Sequence, residues 1–224
     1  MARNLINAEA ISKQFGIAPL LSSVSLGISE SERIGVVGRN GGGKSTLLRI
    51  LAGIETPDSG RVTRASWAQI GFLHQKDLAA SGESVREIVV GSKKTHEWAS
   101  DSGVRTIFDG LFGGYSEEIL DRPYASLSGG EKRRVGIAKL LIEPLDLVLL
   151  DEPTNHLDID SRQALINALS TYDGTLLLVS HDRYLLNEAT SRTLEIVEGK
   201  ATLFQRPLTP HWHVRYKAHG KWER

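Results

Sequence analysis

The chain has 224 residues, 40% of them apolar, which suits one α/β domain with a full core, alone or carrying a smaller lobe, and leaves two complete domains cramped. Lys plus Arg and Asp plus Glu both number 27, so whole-molecule charge argues for neither a nucleic-acid nor a membrane partner, and any such case must be local. The absence of cysteine excludes disulfides and thiolate metal sites; MARNLINAEA lacks the pattern of a signal peptide, and runs such as LVLL fall short of a membrane span, so a soluble, cytoplasmic chain without membrane insertion is expected.

Short strands open the chain: Leu5-Ile6-Asn7, then Val24, Leu26 and Ile28 in alternation, then the apolar run Ile34-Gly35-Val36-Val37, which Gly38 breaks. From Lys44 to Ala52 apolar residues fall at helical spacing, with Gly53 placed as a C-terminal cap and Pro57-Asp58-Ser59-Gly60 as the following turn. Residues 61–75 return to β character. Residues 76–126 read as an inserted lobe of short helices around VREIVV, HEWA and RTIFDGLF, separated by glycines and polar residues. The stretch SGGEKRRVGIAKLLIE suits a helix that buries Val135, Ala138 and Ile142 and stops at Pro144. LDLVLL is a buried strand, and Asp160 to Gln163 resembles a capping box opening a helix through Leu169. Thr175–Val179 is a further buried strand, and Leu194–Phe204 a hairpin turning at Glu198-Gly199-Lys200. Strand and helix alternate as an α/β fold with a mostly parallel sheet requires.

The stretch GRNGGGKS, Gly38 to Ser45, fits G-x-x-x-x-G-K-[ST] and lies between a predicted strand and a predicted helix, the context that motif needs. Gly38, Gly41, Gly42 and Gly43 let the backbone wrap a phosphate, and the N–H groups from Asn40 through Thr46 join the positive end of the helix macrodipole to hold anionic oxygens. Lys44 adds a full charge, which at about 4 Å from a phosphate oxygen gains roughly 4 kcal/mol at an effective dielectric near 20. Ser45 offers its hydroxyl to Mg²⁺. Asp151 ends the strand LDLVLL, where ligands bind in open α/β sheets, and is placed to hold Mg²⁺ through its water shell. Glu152, one residue on, is placed to orient or deprotonate a water for in-line attack; the plain alternative is a solvated or helix-capping carboxylate. In LSGGE, Ser128, Gly129 and Gly130 open a helix and so form a second anion-binding terminus, although alone they would be an ordinary N-cap and turn.

Together these residues resemble the nucleotide-binding domain of an ABC ATPase, a P-loop NTPase fold with a mostly parallel sheet core, an antiparallel β subdomain and an inserted helical lobe. GRNGGGKST is similar to its Walker A, LDLVLLDE to its Walker B and LSGGE to its signature. The resemblance covers roughly residues 5–205 of a domain expected over 1–205, and implies ATP and Mg²⁺ as ligands. It implies that Gln75, in GFLHQ, is the Q-loop glutamine beside metal and attacking water, that His181, in LVSHDR, is the switch histidine at the terminal phosphate, and that Phe15, in KQFG, is the aromatic on which adenine stacks. EPTNHLD resembles the ABC-F subfamily, whose members lack membrane domains and act at the ribosome. Asn155, His156 and Asp158 then belong to the D-loop, which faces a second ATPase domain, while His156 taken alone reads equally as a surface histidine.

The family closes its signature helix over nucleotide held by the Walker A loop of another domain. One Walker A is present here, so the second ABC ATPase domain is expected from the same gene product, a homodimer or another chain. A ribosomal task, antibiotic protection included, with the ribosome or its RNA as partner, is the first expectation; a transporter's ATPase subunit and an ATP-binding module with little turnover are the alternatives. Residues 206–224 hold five Lys or Arg against one acid, with three His and three aromatics, a composition that suits either an altered terminus without function or contact with RNA. His211 and His213 are a weak metal signal. Lys132-Arg133-Arg134 reads as a solvated helix face, with an RNA contact as the other reading.

Overall fold

A computed structural model describes residues 2–16, 18–73, 82–91, 98, 100–114, 116–155 and 157–205. The expectations placed on Gln75, on His156 and on the 206–224 tail lie outside the described residues. Two sheets organise the chain. In the first, β1 (Asn4–Phe15) pairs antiparallel with β2 (Ala18–Ser29) on one side and with β4 (Ser59–Arg64) on the other. These first two strands run 12 residues each, longer than the short strands expected. Ala10 and Ser23, at φ 47 and φ 50, sit where the register shifts, and such bulges break the alternation that a sequence pattern relies on.

The second sheet has the order β5 (Ile70–Phe72), β6 (Leu147–Asp151), β7 (Thr175–Val179), β3 (Arg33–Gly38), β8 (Arg192–Val197), β9 (Lys200–Phe204). All neighbours are parallel except the β8–β9 hairpin, which turns at Glu198-Gly199 as expected. Strands covered on both faces need apolar residues at every position, which is why β6 and β7 read as unbroken hydrophobic runs. Alternate residues feed different cores. Leu147, Leu149, Leu177 and Val179 pack with Leu5, Ile6, Leu47 and Leu51, whereas Val148, Leu150, Leu176 and Leu178 pack with the helices on the other face.

Helix α1 (Lys44–Ala52) follows β3 and buries Leu47, Leu48, Ile50 and Leu51. Gly53 ends it in the left-handed conformation, as expected. The lobe contains α2 (Val85–Val90), α3 (Ser102–Phe112) and α4 (Glu117–Leu120), and α3 packs on the later helices α5 (Gly129–Ile142) and α6 (Ile159–Thr171). The approach is close: a Cβ at Gly110 would lie 3.2 Å from the Ala164 carbonyl oxygen. Helix α5 buries Val135 and Ala138 fully and Ile142 in part. Its N-terminus is a capping box in which Ser128 and Glu131 satisfy each other's backbone N–H groups. The cap of α6 is Asp158, not Asp160. Asp158 is extended, at ψ 172, so its carboxylate reaches the Ser161 N–H at 2.7 Å, while Gln163 instead donates to Asn167. Helix α7 (Arg183–Ala189) completes the layer, capped by Asp182.

Candidate functional site

The loop from Gly38 to Ser45 leaves β3 at the carboxyl end of the parallel sheet and enters α1. Its path is open only to glycine at two points that matter. A Cβ on Gly38 would meet the Ile196 carbonyl oxygen at 2.5 Å, and Gly43 combines φ 94 with a Cβ position 2.9 Å from the Leu21 side chain. Asn40 and Gly41 make the exposed crest between them, and the half-buried Gly42 donates its N–H to the Arg39 carbonyl. Lys44 is 7% exposed, and its Nζ donates to the carbonyls of Gly38 at 3.0 Å and Arg39 at 3.1 Å. Burial lowers the pKa of this ammonium, and the carboxylates of Glu152 and Asp151 oppose that shift. Thr46, in the first turn of α1, is buried.

Ser45 Oγ donates to Asp151 Oδ1 at 3.0 Å, joining the loop to the end of β6. Glu152 follows in a left-handed conformation, φ 47, which costs about 1–3 kcal/mol for a residue with a side chain. Its backbone is pinned: the N–H donates to the Val179 carbonyl at 2.9 Å and the carbonyl accepts from the Asn155 N–H at 3.1 Å. Its carboxylate Oε2 accepts from the His181 N–H at 3.3 Å. Oε1 lies 3.3 Å from His181 Nε2 without hydrogen-bond geometry, and among the described residues it is a buried acceptor with no donor. The buried acceptor, the glycine-only cradle and the Ser45–Asp151 pair fit a magnesium nucleotide with a water at its terminal phosphate.

Phe15 and the residues of the α5 tip lie on other elements. Phe15 ends β1 with 57% of its surface exposed, and Lys13 Nζ lies 5.5 Å from its ring centroid. Ser128 and Gly129 are exposed at the tip of α5, and among the described residues no hydrogen bond or ion pair joins that tip to residues 38–46. Behind the tip, Glu131 accepts from the Ser128 N–H at 2.8 Å and from Arg122 at 2.6 Å, and these donors hold its carboxyl down to about 2.

The solvated face expected for Lys132-Arg133-Arg134 is not what forms. Arg133 is half-buried, and its Nη2 donates to the Asp151 carbonyl at 2.6 Å and the Glu152 carbonyl at 2.9 Å, while Arg134 reaches the Leu111 carbonyl. A signal existed in the sequence, because Arg133 is spaced four residues before buried Ile137 and seven before buried Leu140, on the stripe that faces the core.

The family model described as ABC transporter matches residues 21–155. The uncharacterized ABC transporter ATP-binding protein YfmR of Bacillus subtilis is 34% identical over 88% of this chain and 37% of its own length. The energy-dependent translational throttle protein EttA of Mycobacterium tuberculosis is 33% identical, over 90% of this chain and 42% of its own. For ABC transporter F family member 5 of Arabidopsis thaliana the values are 35%, 88% and 28%. The chain thus spans less than half the length of each of these relatives. Among solved structures, an inward-facing metal-chelate type ABC transporter aligns with TM-score 0.70 at 23% identity, over 91% of this chain and 84% of that one, a likeness of fold. Among the described residues no helix is long and apolar enough to cross a membrane. The family match covers the glycine cradle, its lysine and the acidic strand end together, and on it this chain belongs to the ABC transporter family as a P-loop ATP-binding domain.

Proposed function

We propose that residues 1–205 are an ATP-hydrolysing domain of the ABC-F type, in which nucleotide-driven pairing with a second ABC ATPase domain serves a task at the ribosome. The observation that carries hydrolysis is the Glu152 carboxylate, held beside His181 with one buried oxygen that lacks a donor among the described residues. That oxygen accepts the proton side of a water and orients it toward the terminal phosphate. Lys44 and the N–H groups from Asn40 through Thr46 hold the phosphates; Ser45 and Asp151, with Gln75, hold Mg²⁺. Bound Mg²⁺ supplies charge neutralisation on the phosphate oxygens. Phe15 offers its exposed ring to adenine, His181 contacts the terminal phosphate, and Ser128, Gly129 and Gly130 close over nucleotide of the opposing domain.

The ribosomal part rests on the EPTNHLD stretch and on the names of the relatives, since EttA is a translational throttle protein and the Arabidopsis relative an F family member. The test is ATP-dependent sedimentation of the Glu152→Gln variant with ribosomes. Recovery in the ribosomal pellet with ATP and not with ADP supports the reading. Recovery with an integral membrane protein instead, or no nucleotide-dependent partner in either fraction, overturns it.

A further inference from the structure

Arg133 lies in the second turn of α5, just behind the Ser128-Gly129-Gly130 tip. It crosses to the carboxyl end of β6 and donates from one nitrogen, Nη2, to two successive carbonyls, those of Asp151 and Glu152. Desolvation works against this guanidinium, and the nearby carboxylates of Asp151 and Glu152 work in its favour. A charged donor drawn half out of water for the sake of two backbone oxygens is unfavourable unless the position of those oxygens matters. Both belong to the turn in which Glu152 adopts φ 47. A left-handed residue bearing a side chain persists only where its surroundings over-determine it. Here the Val179 carbonyl fixes the Glu152 N–H, and Asn155 and Arg133 together fix its carbonyl.

We propose that Arg133 is a positioning residue that aims the Glu152 carboxylate by holding the Asp151–Glu152 backbone, and that it ties this carboxylate to the tip of α5. The proposal rests on the reading of Glu152 as the group that orients the attacking water. The tip and Arg133 occupy the first two turns of one hydrogen-bonded helix, so a displacement of Ser128 on meeting another domain's nucleotide carries Arg133 with it. Engagement at one site is thereby felt at the carboxylate of the other. Lysine reproduces this contact only in part, because its shorter side chain carries a freely rotating ammonium in place of the rigid guanidinium plane.

The test uses the whole chain with Arg133→Met and Arg133→Lys, read by amide hydrogen exchange and by ATP turnover. Loss of a charged hydrogen bond predicts about tenfold faster exchange at the Glu152 and Asn155 amides, with the amides of α1 unchanged. In turnover, kcat falls about tenfold while KM for ATP stays the same, and Arg133→Lys falls between parent and Arg133→Met. Ser128→Ala, which frays the tip, speeds the same two amides in the parent and adds nothing in Arg133→Met. Unchanged protection in Arg133→Met, or a Ser128→Ala effect that persists in full without Arg133, overturns the proposal. Arg133→Met placed on Glu152→Gln removes no further turnover if Arg133 acts through Glu152; a second loss of equal size contradicts it. Normal turnover in Glu152→Gln alone defeats the reading of Glu152 instead, and the exchange result still judges Arg133 as the anchor of the turn. Should Arg133→Met not fold, Arg133→Lys carries the same exchange measurement.

Discussion

Ser45 Oγ and Asp151 Oδ1 meet at 3.0 Å although 106 positions separate them in the chain. They meet because β3 and β6 are parallel strands of one sheet with β7 between them, so both chain ends emerge at the same carboxyl edge. On the proposed reading, the Ser45 hydroxyl binds Mg²⁺ and the Asp151 carboxylate holds it through its water shell. Asp151→Asn keeps the shape and removes the charge. The expected result is a loss of about 10–100-fold in Mg²⁺-dependent ATP affinity by titration calorimetry, the range for a group that acts on a metal through its ligands. In chelator, where no metal is present, parent and variant should bind ATP alike. An equal loss with and without Mg²⁺ would take Asp151 out of the metal site.

Lys44 is expected to act on binding rather than on the chemical step. Its ammonium is already desolvated and spans the Gly38 and Arg39 carbonyls, so it meets phosphate without further reorganisation. A unit charge pair at about 4 Å and an effective dielectric near 20 is worth roughly 4 kcal/mol before the loss of solvation is subtracted. Lys44→Ala should therefore weaken ATP at least about tenfold, a change of roughly 1.4 kcal/mol. Equilibrium dialysis with labelled nucleotide reads it, and undiminished affinity would reject the assignment.

Local rules carried much of this architecture. Gly53 after a helical apolar pattern, Glu198-Gly199 between two strands and the unbroken run before Asp151 each have a short-range physical cause, and each element forms where expected. Arg133 did not show itself as a site residue, because its partners are backbone carbonyls 18 and 19 positions away, and a carbonyl leaves no mark in a sequence. The long first hairpin was hidden by its bulges at Ala10 and Ser23, and the start of α6 by the turn before Asp158, which moved the cap two residues upstream of Asp160. The left-handed backbone of Glu152 was equally invisible, since glutamate carries no preference for it.

Glu152→Gln should separate binding from chemistry. The amide is nearly isosteric and keeps an oxygen near the His181 N–H, but it cannot take a proton from water. Loss of a general base typically removes about 10²–10⁴-fold in rate, so kcat should fall by that order with ATP affinity nearly unchanged. Nucleotide trapped without turnover should also favour the paired state, which light scattering of the variant with and without Mg-ATP would register. A variant that hydrolyses ATP at the parent rate would remove Glu152 from the mechanism.

The capping box at the signature helix makes stability depend on pH in a defined window. Glu131 accepts from the Ser128 N–H and from Arg122, which bring its pKa from 4.5 to about 2 in the folded chain. A carboxylate whose folded-state pKa is depressed contributes stability that is fully present above the unfolded value and is lost as pH falls through the folded one. Glu131→Gln retains an acceptor for the Ser128 N–H and loses the charge that pairs with Arg122. At neutral pH the variant should therefore melt below the parent, by a few degrees if the pair is worth about 1 kcal/mol. The gap should hold down to about 4.5 and close progressively toward about 2, where the parent carboxyl is also protonated. Calorimetric melting of both proteins across that range checks the sign. A gap that widens on acidification would mean that Glu131 is held protonated rather than ionised, and would remove the charge-assisted cap from the account of how the Ser128 tip is kept in place.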